Sequence, residues 1–350
     1  MEKSYKLPSF SVVVTGFNQE NCIRSAIESA FQQDYAGDIE FILTDDSSSD
    51  ATFDIMQEMA SSYHGAHTVR LNRNEQNLGI SSHLEKVYAM ASHEWVVRMD
   101  GDDRSMPYRL SMMAQAIAAY PEVDFISADI RLVRHSGTGP VVFPEVEPAG
   151  ELEAEMYKEG TVGKTTLGAS CAVRMRDRCG LKGIERLPMA EDLYEAHYAW
   201  LHNRLLIVHN KLVFYVEHSS NISRINPDIK NRDLQHFWQE TKRLRSIFAY
   251  LIETHEAMSK MSEDFLASSE EYSREHVFRV EENIRKRRQY IQWLYLEKDW
   301  MNMSLRQKLK HAHYFKKNLL RLLPSGLYAT LLCAIYRLRH ASKRDPNKYR

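Results

Sequence analysis

The amino-acid sequence predicts an α/β fold: an open, largely parallel sheet with helices on both faces, followed by a helical C-terminal region. Two observations carry that prediction. Over roughly the first 130 residues, short apolar runs alternate with segments of helical spacing, the mark of repeated strand-helix units. From Asp228 onward, long charged segments with helical periodicity take over. The expected boundary divides the chain into residues 1–227 and 228–350.

The elements follow in order. FSVVVT (10–15) reads as a buried strand, and QENCIRSAIESAFQQ has helical spacing at Cys22, Ile23, Ala26, Ile27, Ala30 and Phe31. IEFILTD (39–45) is a second strand, and SDATFDIMQEMASSY a second helix that Ser49 or Asp50 would cap. HTVRLN, a helix near 81–92, EWVVRM, the helix RLSMMAQAIAAY and the strand VDFISADIRLV continue the series. Residues 135–165, rich in Gly, Pro and Glu, read as a mobile excursion. GASCAVRMRD, MAEDLYEAHYAW and RLLIVHNKLVFYVEHSSNIS then read as a strand, a helix and a strand pair.

Composition is that of a globular chain, with 43% hydrophobic and 27% charged residues among 350. The net charge of -1 hides an asymmetry: Ser304–Arg350 holds 12 Lys and Arg against the single acid Asp345. A basic tail on an acidic body suggests an anionic partner. Cys22, Cys171, Cys179 and Cys333 form no close pair, so they read as thiols of a reducing compartment. With no signal-like N-terminus and no long apolar span, the expected location is cytoplasmic, peripheral on the inner face of a membrane.

In such sheets ligands bind beyond the carboxyl ends of the strands. Three polar segments, TGFN, TDDSSSD and DGDD, fall at those ends and should share one crevice. Asp100, Asp102 and Asp103 are hard oxygen donors on a loop, suited to Mg²⁺ or Mn²⁺ that also keeps substrate phosphates in its shell. A solvated acidic turn is the equal alternative on spacing alone, and Asp103 reads as a cap of the following helix. Asp45 and Asp46, acceptors only when ionised, suit a base imide or a ribose hydroxyl, though a turn and helix cap explains them as simply.

SVVVTGFNQENCIRSAIESAFQQ, EFILTDDSSSD, NLGISSHLEKVYAMASHEWVVRMDGDD and GASCAVRMRD…MAEDLYEAHYAW together resemble family 2 glycosyltransferases, over roughly residues 9–224. The resemblance implies a GT-A (Rossmann-like) open mixed sheet, a nucleotide-sugar donor, a divalent metal and inversion at the anomeric carbon. It assigns nucleoside contacts to Thr15, Phe17 and Asp46, metal and diphosphate contacts to Asp100 and Asp102, and the catalytic base to Asp192; Asn18 and Asp45, at the same strand ends, are taken as further donor contacts. It also suggests His218 as a further metal ligand, and imidazole suits Mn²⁺ tolerably.

An inverting transfer needs one base opposite the leaving diphosphate. Glu191 and Asp192 stand at a helix start, where the dipole favours carboxylates, but about 100° apart, so only one faces the acceptor. Asp192 is taken as base and Glu191 as the alternative. Ser223 and Arg224 are weaker phosphate candidates; His311 and His313, two apart on a helix, share no face. NLGISSHLEKV departs from the family pattern, which leaves local roles to His83 or Lys86. The absence of Q-x-x-R-W implies transfer of a single sugar. GTVGKTT is not a phosphate loop, because its first glycine position is Lys158.

In the tail, Leu327, Leu331, Ile335 and Leu338 lie at helical spacing beside Arg337, Arg339, Lys343 and Arg344. This reads equally as a helix in an anionic membrane interface, a helix packed on the protein itself, or a homodimer contact. No nucleic-acid motif is present. The expected activity is transfer from a nucleotide sugar, UDP-linked, to a glycan or glycolipid in surface polysaccharide synthesis. A sugar-nucleotide nucleotidyltransferase would need a glycine-rich basic loop where TGFNQEN stands. A non-catalytic binding protein of the same fold is the remaining alternative.

Overall fold

The computed structural model describes residues 6–135, 140–159, 167–175, 184–187, 190–218, 234–268 and 272–310. The chain divides into two compact units, Met1–His218 with Lys260–Asn283, and Ser219–Ser259 with Ile284–Arg350.

The first unit is built on a nine-stranded mixed sheet. Strands β1 (Phe10–Gly16), β2 (Ile39–Asp45), β3 (Thr68–Arg73) and β4 (Trp95–Asp100) alternate with helices α1 (Ile23–Phe31), α2 (Thr52–Ser61) and α3 (Ile80–Met90). Then follow β5 (Arg104–Ser105), α4 (Arg109–Ala119), β6 (Phe125–Arg134), β7 (Ala154–Met156), β8 (Cys171–Arg174), α5 (Glu191–Leu201) and β9 (Leu205–Glu217). The strand order is β3-β2-β1-β4-β8-β6-β9-β5, with β7 on β9. β1 pairs in parallel with both β2 and β4, so the order reverses there and a ligand crevice opens at the strand ends.

Alternation sends the strand side chains to two covered faces. Phe10, Val12, Val14, Phe41, Leu43, Trp95, Val97 and Met99 meet apolar residues of α1, α2 and α4. Val13, Ile42 and Val96 meet Leu84, Val87 and Tyr88 of α3. Phe41 anchors the first face, its ring edge-on to Phe31 at 4.9 Å and to Tyr63 at 5.7 Å.

Two sequence expectations change. Residues 204–223 were expected as a strand pair; Leu205–Glu217 forms one strand, whose pairing with β6 is irregular around Asp129. HNK carries neither Gly nor Pro, so a bulge absorbs the polar break that resembled a turn. The expected mobile excursion is pinned where described: Asn210 Nδ2 donates to Ala149 O (3.1 Å) and Glu151 O (2.8 Å), and β7 pairs with β9. The alternation of the first 130 residues, by contrast, appears element by element.

Within this unit, the 260–283 segment meets α5: His197 Nε2 lies 2.8 Å from Ser262 Oγ, and His276 Nε2 lies 2.8 Å from Leu201 O. The second unit contains most of α6 (Leu234–Ala267) and α7 (Arg274–Asp299), and then α8 (Leu305–Lys310). There Tyr290 meets His255 at 4.8 Å and Trp293 meets Phe248 at 6.1 Å between ring centres. Among the described residues no helix is long and apolar enough to cross a membrane. Residues 311–350 of the basic tail, Cys179 and Cys333 lie outside the described residues.

Phe41→Ala should remove about 3–5 kcal/mol of stability, read as a lower urea midpoint.

Candidate active site

Register aligns the three strand ends: Thr15 stands beside Asp100 and Gly16 beside Asp45. The loops that leave them are stitched together. Asp45, wholly buried, accepts from the Ser48 amide at 2.9 Å and lies 3.4 Å from Arg73 Nε. Asp46 accepts from Asn74 Nδ2 (2.8 Å) and from the Leu78 (2.9 Å) and Gly79 (3.0 Å) amides. Lys86 Nζ donates to Asn74 Oδ1 at 2.7 Å, and His83 Nε2 lies 2.6 Å from Thr44 Oγ1. Burial pushes the His83 imidazole toward its neutral form, against the pull of Asp46 and Asp45. His83 and Lys86 thus brace the second strand end from below.

Asn18 Oδ1 accepts from the Ser49 amide at 2.9 Å, and the Asn18 amide donates to Ser48 Oγ at 2.9 Å. Asn18 (φ 53°) and Ser47 (φ 65°) both hold left-handed backbone, a cost that non-glycine residues carry mostly at functional sites. Thr15 Oγ1 is 3.5 Å from Met99 O. Phe17 turns its ring to solvent at the mouth of the crevice, 46% exposed.

The turn after β4 is tight: a Cβ on Gly101 would lie 2.8 Å from Thr15 O and 2.4 Å from Gln19 Oε1. Carboxylate oxygens of Asp100, Asp102 and Asp103 lie within 4.8 Å of one another. Burial, then Asp102, pushes the Asp100 carboxyl up to about 6. Burial and the same neighbours raise Asp103 well above the usual range. Asp103 does not cap α4, which starts without a side-chain cap; its Oδ1 accepts from the Val216 amide at 2.8 Å. Its Oδ2 is buried without a hydrogen-bond partner. His218 Nε2 lies 2.8 Å from Asp102 Oδ2. Three crowded carboxylates with an unsatisfied buried oxygen fit a hard divalent cation such as Mg²⁺ or Mn²⁺. Asp100 and Asp102 would hold it, with His218 in reach.

α5 begins after Ala190, itself left-handed at φ 63°. Asp192 Oδ2 accepts from the Gly168 amide at 2.8 Å and Oδ1 from the Leu193 amide at 2.8 Å. Burial, then Glu191, pushes its carboxyl up to about 7. Glu191, 3% exposed, accepts from Arg98 Nη2. Arg98 is a charge that sequence reasoning passed over, although an Arg inside the apolar run WVVRM was the available signal. Arg109, also missed, is fully buried and donates to Arg98 O (2.8 Å) and Ala169 O (3.1 Å). Thr15 to Asn18, Asp45, Asp46, Asp100, Asp102 and His218 thus stand at or just past strand ends, Glu191 and Asp192 at the start of α5, and His83 and Lys86 on α3. Ser223 and Arg224 lie outside the described residues.

A mixed sheet of this order, with its acidic loop at the reversal point, is the GT-A fold. The protein TarS of S. aureus shares that fold: its 1–349 fragment aligns at TM-score 0.57 and 15% identity, over 98% of this chain and 93% of that one. Residues 11–139 match the family described as "Glycosyl transferase family 2". EpsE of Bacillus subtilis is 27% identical over 192 residues, 53% of this chain and 64% of EpsE. The "GalNAc(5)-diNAcBac-PP-undecaprenol beta-1,3-glucosyltransferase" of Campylobacter jejuni is 32% identical over 109 residues, 31% of this chain and 34% of that enzyme. The chain therefore spans less than two thirds of the length of either relative.

Mn²⁺ at a hundredfold excess over its dissociation constant should stabilise the protein by about 2.7 kcal/mol in a thermal-shift assay. Asp102→Asn should abolish that gain, and an undiminished gain would exclude Asp102 as a ligand.

Proposed function

We propose that the protein is an inverting, metal-dependent glycosyltransferase that moves one sugar from a UDP-linked donor to a glycan or lipid-linked saccharide in surface polysaccharide synthesis. The observation that carries this reading is the joining of two acidic groups through one strand. Asp100 ends β4, and Arg98, two residues earlier, reaches the start of α5 beside Asp192. The complex of TarS with UDP-GlcNAc and the undecaprenol-linked chemistry in the Campylobacter enzyme's name support the donor and acceptor classes.

Phe17 and the strand-end loops that Asn18, Asp45 and Asp46 hold in shape would receive the nucleoside. Asp100 and Asp102, with His218, would hold a divalent ion that offsets charge on the departing diphosphate. Asp192 takes the proton from the acceptor hydroxyl as that oxygen attacks the anomeric carbon. The bond from that carbon to the diphosphate breaks on the opposite side, and the configuration inverts. Glu191, engaged by Arg98, is the poorer base. Residues 1–227 would carry this chemistry. Residues 228–350 would end in a basic tail that meets the anionic inner face of a membrane from the cytoplasm.

Asp192→Asn should retain donor binding by calorimetry and lose about 10²–10⁴-fold in kcat. Wild-type turnover would exclude it as base. Because Asp192 must be ionised to act and its proton leaves near pH 7, kcat should fall as pH drops through about 7. A rate independent of pH there would argue against the assignment.

Replacing Arg337, Arg339, Lys343 and Arg344 by Gln should weaken association with phosphatidylglycerol vesicles in a flotation assay. Equal flotation would count against the membrane reading.

A further inference from the structure

The buried charge network behind α5 has no step in the reaction above. Arg98 is 3% exposed on a central strand. Its Nη2 donates to Glu191 Oε1 and its Nη1 to Glu195 Oε2 at 3.1 Å; Tyr88 Oη donates to the same Glu195 oxygen at 3.2 Å. A Cβ on Gly168 would lie 2.7 Å from Arg98 Nη2 and 3.6 Å from Asp192 Cβ. The guanidinium and the first turn of α5 therefore both pack against Gly168, whose amide donates to Asp192. The left-handed Ala190 turns the chain into this arrangement.

We propose that Arg98, seated against Gly168, is a positioning residue that divides the work of the two adjacent acids, holding Glu191 as a counter-ion and leaving Asp192, held by the Gly168 and Leu193 amides, as the base. This rests on the reading of Asp192 as base. Stability alone does not account for the network, since buried ion pairs are often no more stabilising than apolar groups of the same shape. The groups facing Asp192 are Glu191 on its own helix, Arg98 from β4 and the buried Cys171 thiol from β8, with the Gly168 and Leu193 amides. Arg98 favours the Asp192 anion and Glu191 opposes it.

The test is direct titration of Asp192 in the full-length protein, labelled with ¹³C at the aspartate carboxyls, with Asp192→Asn to assign its resonance. Glu191→Gln keeps shape and a hydrogen bond to Arg98, and should lower the Asp192 midpoint. Arg98→Met should raise it by about 1–3 pH units. Arg98→Lys, which retains the charge and loses the planar fork, should leave the midpoint near wild type while lowering the pH-independent kcat. An unmoved midpoint in Glu191→Gln, or movement upward, overturns the proposal even if Arg98→Met does not fold. Transfer from UDP-GlcNAc, followed on the same samples as UDP release with a lipid-linked saccharide, judges the catalytic reading separately. Opposite shifts without turnover in the wild type would leave the network standing and sink the transferase assignment.

Discussion

The constraint on which the rest of this structure depends is the concentration of negative charge at the end of β4, a strand in the middle of the sheet. Asp100, Asp102 and Asp103 crowd into one turn, and burial raises the cost of ionising Asp100 and Asp103. A buried carboxylate survives only where positive charge or hydrogen bonds offset the water it has lost. Two arginines are built into the surrounding core for this purpose. Arg98 lies on the strand itself, and Arg109 reaches back from α4 to its carbonyl. Neither neutralises the cluster fully, because Asp103 Oδ2 still lacks a partner. The remaining deficit is of the kind a divalent cation would offset.

That electrostatic problem also explains the local backbone. The turn can sit against β1 only because Gly101 has no side chain to strike Thr15 O. Gly168 makes the equivalent allowance on the other side of Arg98. Left-handed Asn18, Ser47 and Ala190 mark where the chain is bent to bring polar groups toward the strand ends. Each such bend costs of order 1–3 kcal/mol, and the apolar layers on both faces of β1, β2 and β4 supply the stability that holds them. The rigid sheet is therefore a precondition for the site.

Most of the sheet was legible because a doubly covered parallel strand must be a short apolar run, and FSVVVT, IEFILTD and EWVVRM are little else. The fit of β9 was not legible: a bulge and a turn present the same polar interruption in HNK, and only the pairing with β6 separates them. Asp100 and Asp102 drew notice as carboxylates crowded at a strand end, whereas His218 came only from the family resemblance; its Nε2 lies 2.8 Å from Asp102 Oδ2. His83 and Lys86 could be named for a local role, but not their partners: His83 meets Thr44, and Lys86 meets Asn74, which in turn donates to Asp46, only through the fold. Arg98 was hidden for a different reason. A charge inside an apolar strand has meaning only with its partner, and Glu191 lies 93 positions away.

Seen from Arg98, the adjacent acids of α5 are unequal although their residue types and helical setting are nearly the same. Glu191 has the longer arm and falls on the inward side, so it reaches the guanidinium; Asp192 has the shorter arm and meets only backbone amides. A helix places neighbours about 100° apart, so the bond of Glu191 to Arg98 leaves Asp192 a different set of partners. The same arginine lies two residues before the metal-fitting turn, so any shift in β4 moves both ends of the site together. The end of β4 and the start of α5 are thus tied through one buried side chain, and a small misplacement there would be felt at both.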